Sequence, residues 1–205
     1  MKKIGVFGGT FDPVHNGHIS KAEEAFVKLK LDQVLWVIAG DPWMKSTEQL
    51  SHSRHRLKMV KIAIEGKANM QLSDMEVSRK GPTYTVDTLK DLKRRNPQDE
   101  LTLLIGSDLI EEFDQWKSNE LILSLAKLAI FTRTDSRKEI NEILGLSKSG
   151  DHRIEILSGP KIDISSTLVR ETISHKLSVS KYVPKSVEKY IMQNKLYSKE
   201  NRCIT

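Results

Sequence analysis

The amino-acid sequence predicts an α/β fold: a Rossmann-like doubly wound parallel sheet with a small helical C-terminal lobe. Short apolar runs of strand length alternate with segments whose apolar residues recur every three or four positions. This alternation is typical of a parallel sheet with helices on both faces. After Ile164 only the helical period continues. We therefore predict a single domain over residues 1–205, with an α/β core at 1–163 and a helical part at 164–205.

The predicted strands are apolar runs bounded by polar or turn-forming residues. Five are clear, namely Ile4–Phe7, Val34–Ala39, Leu101–Ile105, Leu128–Phe131 and Ile154–Leu157, and Met70–Leu72 is a weaker sixth. The predicted helices carry apolar stripes at Ile19, Ala22, Phe26 and Leu29, at Leu57, Val60 and Ile64, at Val86, Leu89 and Leu92, and, after Pro184, at Val187, Tyr190 and Ile191. Ligands of such a sheet bind beyond the carboxyl ends of its strands, so motifs at those ends are the most informative.

Composition narrows the class of protein. The chain has 205 residues, of which 38% are hydrophobic and 29% charged, as in globular proteins. No apolar run approaches the ~20 residues of a spanning helix and no leader-like stretch precedes the first strand, so we expect a cytoplasmic protein without a membrane partner. The one cysteine, Cys203, cannot form an internal disulfide.

A net charge of +6 favours acidic partners, either nucleic acid or small phosphates. With 6% aromatic residues and no RNP-like motif, we expect no nucleic-acid partner.

The most informative segment, GGTFDPVHNGH at residues 8–18, joins the first predicted strand to the first predicted helix. Its paired glycines let backbone N–H groups approach an anion, and the helix N-terminus adds about half a positive charge. The segment fits neither GxGxxG nor GxxxxGKS. Its position therefore predicts a phosphate site of another kind.

His15 and His18 lie three residues apart at the start of this helix, so their rings can face one ligand. We favour a role as donors to a transferring phosphate. A metal site would need a third ligand, for which Asp12 is the only nearby candidate, and an HxxH pair outside HExxH is a weak metal motif. We therefore predict no protein-held metal.

A second candidate phosphate anchor is ISSTLVR at residues 164–170. It combines hydroxyl side chains at a predicted helix N-cap with Arg170 one turn later. Taken alone, the segment favours ordinary helix capping over phosphate binding.

Together these segments resemble the adenylyltransferase superfamily. HNGH at 15–18 matches its (H/T)xGH motif, which binds nucleotide phosphates, and residues 164–170 resemble its ISSTxxR motif, which holds the ATP phosphates. Class I aminoacyl-tRNA synthetases carry a related HIGH motif, but this chain is short for a synthetase. The resemblance implies an ATP site made of Gly8, Gly9, Thr10, Phe11, His15, His18, Gly106, Asp108, Arg133, Ile164, Ser165, Ser166, Thr167 and Arg170.

The acceptor is indicated by GPTYTVDTL at residues 81–89, which resembles the GPSYTxxTL segment of nicotinate-nucleotide adenylyltransferases. The resemblance places Thr85 at the pyridine carboxylate, although Thr85 could also be a helix N-cap. DQWK at 114–117 resembles the tryptophan loop of that family, whose ring stacks on nicotinate. The implied acceptor-binding residues are Thr85, Trp116 and Lys117.

Two further groups of basic residues follow predicted strands. Lys45 lies in PWMK at 42–45, where many relatives carry PPHK, and could neutralise the leaving pyrophosphate. The predicted catalytic set is His15, His18, Lys45 and Arg170. In contrast, we place Arg54, His55 and Arg56 on a solvated helix face that begins at Ser53 as N-cap, outside the site.

The resemblance implies a nucleotidyltransferase domain that transfers AMP from ATP to nicotinate mononucleotide, giving deamido-NAD and pyrophosphate in NAD biosynthesis. Mg²⁺ is expected to arrive with ATP, held chiefly by phosphate oxygens and water. The alternatives are adenylyl or cytidylyl transfer to another phosphorylated acceptor, such as phosphopantetheine, and a non-catalytic nucleotide-binding module. A homo-oligomer is compatible with the sequence.

Overall fold

A computed structural model describes residues 1–42, 50–110, 112–132, 153–158 and 164–198. Its strands are β1 (Lys3–Gly9), β2 (Gln33–Ile38), β3 (Asp41–Pro42), β4 (Met70–Ser73), β5 (Pro82–Thr83), β6 (Glu100–Gly106), β7 (Lys127–Thr132) and β8 (Ile154–Ser158). Its α-helices are α1 (Asn16–Lys28), α2 (Ser53–Ala63), α3 (Thr85–Arg95), α4 (Asn119–Leu125), α5 (Ser166–Ser174) and α6 (Lys185–Gln193). Short 3-10 turns follow β6 at Ser107–Leu109 and Phe113–Gln115.

The main sheet has six strands in the order β4-β2-β1-β6-β7-β8, and every neighbouring pair is parallel. After β1, the strands β2 and β4 are added on one side of it. The chain then returns to the other side of β1, where β6, β7 and β8 follow in order. The two halves therefore diverge between β1 and β6. Sheets of this order bind ligands in the crevice at that point, beyond the carboxyl ends of the strands.

Helices cover both faces of the sheet. On one face α1, α2, α5 and α6 enclose a core that includes Phe7 and Trp36, which meet at ring centroids 5.0 Å apart. On the other face α3 and α4 pack on Val6, Leu103 and Leu128. Because the central strands are buried on both faces, they form nearly continuous apolar runs rather than alternating patterns.

The predicted fold class is confirmed, as are the six main strands. The two-residue parallel pair of β3 and β5 was not predicted, because two residues are too few to show a hydrophobic period. Helix α4 was not predicted either, because its seven residues carry too few turns to define a stripe beside the apolar run of β7. Ser53 is not an N-cap but the first residue of α2, capped instead by His52, whose ring accepts from the Arg54 N–H at 3.2 Å. None of the helices in the described ranges is long and apolar enough to span a bilayer.

Candidate active site

The turn between β1 and α1 lies at the divergence of the sheet and is held from several sides. Phe11 is 2% exposed and has a φ of 49°, in the left-handed region that costs a non-glycine residue about 1–2 kcal/mol. Such a conformation persists only where the surroundings impose it. Asp12 is 1% exposed, and its carboxylate accepts from the Ser51 N–H at 3.1 Å and from the Tyr197 hydroxyl at 2.6 Å. Two distant parts of the chain therefore set the geometry of this turn.

His15 and His18 come together at the start of α1, where their rings stack with centroids 3.7 Å apart at an angle of 25°. The His15 N–H donates to His18 Nδ1 at 3.3 Å, so the neutral His18 ring carries its proton on Nε2. Burial, and secondarily the charge of Lys21, lowers the pKa of His15 to about 4. His15 is therefore neutral near pH 7 and can act there only as a hydrogen-bonding group, not as a cation.

Arg56 is not on a solvated face, and that prediction is wrong. The side chain is 2% exposed. Its guanidinium donates to the carbonyl oxygens of Ala39 at 2.7 Å, Ser51 at 3.0 Å, Thr10 at 3.1 Å and Gly40 at 3.4 Å. These carbonyls belong to the loops that follow β1 and β2 and to Ser51, which precedes the α2 N-cap His52. One buried cation thus joins the loops that line the end of the sheet.

The predicted second anchor lies directly against this turn. Ser165 caps α5 as predicted, because its Oγ accepts from the Leu168 N–H at 3.1 Å. Ser166 Oγ donates to the Pro13 carbonyl at 2.9 Å. The N-terminus of α5 and the N-terminus of α1 therefore meet at one place, although ~150 residues separate them in the chain.

Arg170 also joins the N-terminus of α5 to the turn before α1. Its guanidinium donates to the Asp12 carbonyl at 2.8 Å and to Thr167 Oγ1 at 3.1 Å. The hydroxyl groups of Ser165 and Thr167 are exposed beside it, and Ile164 before them is partly buried. Hydroxyl groups, helix N–H groups and a cation in this arrangement suit an anionic oxygen chain.

A cleft of about 160 Å³ opens at the carboxyl ends of β1, β2 and β6. The strand-end residues Gly8, Gly9 and Thr10 form one side, and Thr85 and Trp116 form the other. The cleft therefore brings the predicted phosphate turn and the predicted acceptor residues to a common space. Its lining is mostly apolar, as expected for the site of a flat aromatic ring.

Thr85 is the first residue of α3, and Tyr84 takes the N-cap position instead. Trp116 packs against Phe113 with ring centroids 5.5 Å apart. Its buried Nε1–H has no hydrogen-bond partner among the described residues. Lys117 lies at the rim, with its ammonium 3.1 Å from an Asp87 carboxylate oxygen and 4.2 Å from the centre of the Tyr84 ring. Its charge is therefore partly compensated within the protein.

Glu76 also lines the cleft, and the sequence analysis did not identify it. Its carboxylate accepts from Thr88 Oγ1 at 2.6 Å, and burial raises its pKa above the usual glutamate value, against the opposing effects of Thr88, Thr83 and Arg79. The nearby Gly40 has no room for a β-carbon, which would collide with the Glu76 carbonyl. A single glutamate within a turn has no local signature, so only the tertiary contacts reveal it.

Across the divergence from the phosphate turn, Gly106 ends β6 and Asp108 follows in a 3-10 turn. A β-carbon on Gly106 would collide with the Asp108 carboxylate, so glycine permits this close approach. The Lys21 ammonium lies 5.6 Å from the centre of the Phe131 ring on the same side. Gly106 and Asp108 thus lie at the carboxyl end of β6, the strand that pairs with β1.

Two predicted site residues, Lys45 and Arg133, lie outside the described residues. The remaining members converge at the divergence of the sheet, in two neighbouring parts: the junction of α1 and α5, and the cleft. Within the described ranges no three His, Cys, Asp or Glu side chains are grouped so as to hold a metal ion.

Comparison with known proteins gives a consistent result. Residues 6–172 match a family model described as cytidylyltransferase-like. A Dehalococcoides mccartyi protein named "Probable nicotinate-nucleotide adenylyltransferase" is 38% identical over 97% of this chain and 98% of its own. The Bacillus subtilis protein named nicotinate-nucleotide adenylyltransferase is 35% identical over 96% of this chain and 99% of its own.

Among solved structures, the Plasmodium falciparum nicotinic acid mononucleotide adenylyltransferase complexed with NaAD superposes with a TM-score of 0.79. It is 25% identical and covers 96% of this chain and 98% of its own. A structure of the same enzyme complexed with APC superposes with a TM-score of 0.77 at 24% identity, again over 96% of this chain and 98% of its own, and shows the shared fold.

Proposed function

The chain belongs to the nicotinate-nucleotide adenylyltransferases, and from this we propose that it transfers the AMP part of ATP to nicotinate mononucleotide, forming deamido-NAD and pyrophosphate. The observation that carries the proposal is the cleft that the Gly8-Gly9 turn shares with the Thr85 and Trp116 side chains. A donor nucleotide held at the turn and an acceptor ring held against Trp116 would meet across it. Near full-length similarity to relatives of that name supports the same acceptor.

The reaction needs no covalent enzyme intermediate. A 5′-phosphate oxygen of the acceptor attacks the α-phosphorus of ATP in line, a new P–O bond forms, and the bond to pyrophosphate breaks. The attacking oxygen is already anionic, so no general base is required. Catalysis then consists of positioning the two phosphates and stabilising the charge that develops on the α-phosphate and on pyrophosphate.

The side chains at the turn suit this task. His18 is the proposed donor to the α-phosphate, through the Nε2–H that its hydrogen bond from the His15 N–H leaves protonated. His15 supports it by stacking, and it stays neutral because its pKa is about 4. Arg170 and the N-terminus of α5 would hold the β- and γ-phosphates beside the turn. Lys45 is the further proposed contact with the departing pyrophosphate.

Mg²⁺ is proposed to enter as part of the MgATP substrate. We expect the ion to be held chiefly by phosphate oxygens and water. When bound there, the ion neutralises charge on the pyrophosphate leaving group.

For the acceptor we propose that the Trp116 ring stacks on the pyridine and that Thr85, at the N-terminus of α3, meets its carboxylate. The helix N-terminus favours a negative group at this position by about 0.3–1 kcal/mol. This is a physical reason to prefer the acid over the amide form of the ring. A cytoplasmic location and a homo-oligomeric state stay predictions.

The test is pyrophosphate release from MgATP with nicotinate mononucleotide and nicotinamide mononucleotide in parallel reactions. We expect a strong preference for the nicotinate form. Reactions with CTP in place of ATP, and with phosphopantetheine as acceptor, test the two alternative transfers. Turnover with phosphopantetheine and with neither mononucleotide would refute the acceptor assignment. ATP binding without any turnover would favour the non-catalytic alternative.

A further inference from the structure

The C-terminal segment, residues 182–198, contacts the turn between β1 and α1 at more than one place. Its residues do not line the cleft. The Tyr197 hydroxyl donates to the Asp12 carboxylate at 2.6 Å, across 185 positions of sequence. The Asn16 N–H donates to the Tyr182 carbonyl at 2.8 Å, next to the histidine pair. Together with the bonds from α5, these contacts surround the outer side of the turn.

We propose that Tyr197 is a positioning residue for adenylyl transfer: through Asp12 it orders the turn that presents His15 and His18 to the α-phosphate of ATP. The inference rests on the proposed function and adds to it a residue near the end of the chain. Tyr197 acts through the Asp12 carboxylate, with which its hydroxyl forms a 2.6 Å hydrogen bond.

The first support is the position of Asp12. Its carboxylate has two hydrogen-bond partners among the described residues, the Tyr197 hydroxyl and the Ser51 N–H, and the charge of Arg56 lies near it. Removing the hydroxyl leaves one oxygen of a 1% exposed carboxylate without a donor. A buried carboxylate oxygen that has lost its donor is unfavourable, so we expect the Asp12 side chain to shift toward water and to displace the backbone of the turn.

The second support is the backbone of Phe11, the residue before Asp12. With a φ of 49° it keeps its conformation only while its neighbours impose it. Since His15 follows Phe11 by four residues, relaxation there displaces both histidine rings. Displacements of about 1 Å in a catalytic group can cost about 100-fold in rate.

The third support comes from Tyr197 itself. Its φ is 63°, so the chain adopts an unfavourable turn that directs the phenol toward Asp12. Burial, and then the charge of Asp12, raises the pKa of Tyr197 above the usual tyrosine value. The hydroxyl therefore stays protonated and remains a donor throughout the range in which the enzyme would work.

The chain supplies a matched control in Tyr190. Its hydroxyl forms a 2.9 Å hydrogen bond with His55 Nδ1, which joins α6 to α2 rather than to the turn. Tyr190→Phe and Tyr197→Phe each delete one phenolic hydroxyl, which for Tyr197 also ends a long 3.9 Å contact with Met59 Sδ. Tyr190→Phe therefore measures the effect of losing a hydroxyl of the C-terminal segment that has no hydrogen bond to the turn.

Steady-state kinetics and the thermal midpoint of the two full-length variants test the proposal. We expect Tyr197→Phe to lower kcat between about 10-fold and 100-fold with the KM for ATP within about threefold of the parent, because the hydroxyl does not touch the nucleotide. Tyr190→Phe should keep the parent kcat within about twofold. A kcat for Tyr197→Phe equal to that of Tyr190→Phe would overturn the inference, as would a loss that appears only in the KM.

Amide hydrogen exchange gives a second readout that does not depend on turnover. We expect peptides covering residues 8–18 to exchange at least about tenfold faster in Tyr197→Phe than in Tyr190→Phe. Equal exchange in the two variants would show that Tyr197 does not order the turn. If the parent protein releases no pyrophosphate with any acceptor, the proposed function fails, and the exchange comparison still decides whether Tyr197 orders the turn.

Discussion

Replacing Arg56 with methionine removes the cation that joins the sheet-end loops while retaining most of its aliphatic volume. The three nearest carbonyl oxygens, those of Ala39, Ser51 and Thr10, lose donors that lie 2.7, 3.0 and 3.1 Å away. A net contribution of roughly 1–1.5 kcal/mol for each bond gives about 3–5 kcal/mol. The same range is typical when one partner of a buried charged group is removed. For a chain of 205 residues this lowers the thermal midpoint by on the order of 10 °C.

The assay is urea unfolding of Arg56→Met beside Arg54→Met. Arg54 lies on the same turn of α2 but is exposed, so its replacement should change the free energy of unfolding by less than about 0.5 kcal/mol. A difference between the two variants smaller than about 1 kcal/mol would refute the reasoning. Arg56 would then contribute little beyond the packing of its side chain.

Three more predictions concern the site. His18→Ala should lower kcat by about 100-fold or more with a modest change in the ATP dissociation constant, and unchanged single-turnover rates would remove His18 from the mechanism. Trp116→Ala should raise the KM for nicotinate mononucleotide by about fivefold or more, the equivalent of 1 kcal/mol of stacking, while the KM for ATP stays nearly constant. An acceptor KM equal to that of the parent would mean that the ring only packs. His15 titrates near 6.5 when unfolded and near 4 when folded, so the unfolded state binds more protons between these values. Its contribution of about 3 kcal/mol to stability is complete above pH 6.5 and is lost as the pH falls to 4. The unfolding free energy of His15→Asn, measured from pH 7 to 4.5, should fall less steeply than that of the parent, and parallel curves would contradict the burial of this ring.

The strands and the main helices were predictable because burial imposes a pattern of apolar residues on neighbouring positions of the sequence. A strand covered on both faces, such as Val34–Ala39, must be apolar along its length, and a helix over the sheet must repeat its apolar residues every three or four positions. The Ser165 N-cap was predictable for the same reason, since a cap and its helix are adjacent in sequence. The histidine pair was predictable because a spacing of three at a helix start places two rings side by side.

Arg56 shows where local reasoning fails. In the sequence it stands in SRHR, a charged stretch that is typical of a solvated helix face. Its environment is set by Ala39 and Thr10, which are 17 and 46 positions away. Whether an arginine meets carbonyl partners that are so far away in the sequence depends on the course of the loops. Neither the hydrophobic period of a helix nor the propensities of its residues predict that course.

By itself, then, the sequence determined the α/β class, the alternation of elements, the two candidate phosphate motifs and the family of the chain, because each of these depends on residues that are close together in the sequence. Only the tertiary structure decided that the two motifs meet at the junction of α1 and α5, that Glu76 lines the cleft, and that Tyr197 reaches Asp12. The physical reason is that these contacts join segments far apart in the chain. Their energy appears only after the sheet has brought the segments together, so neighbouring residues carry no sign of them.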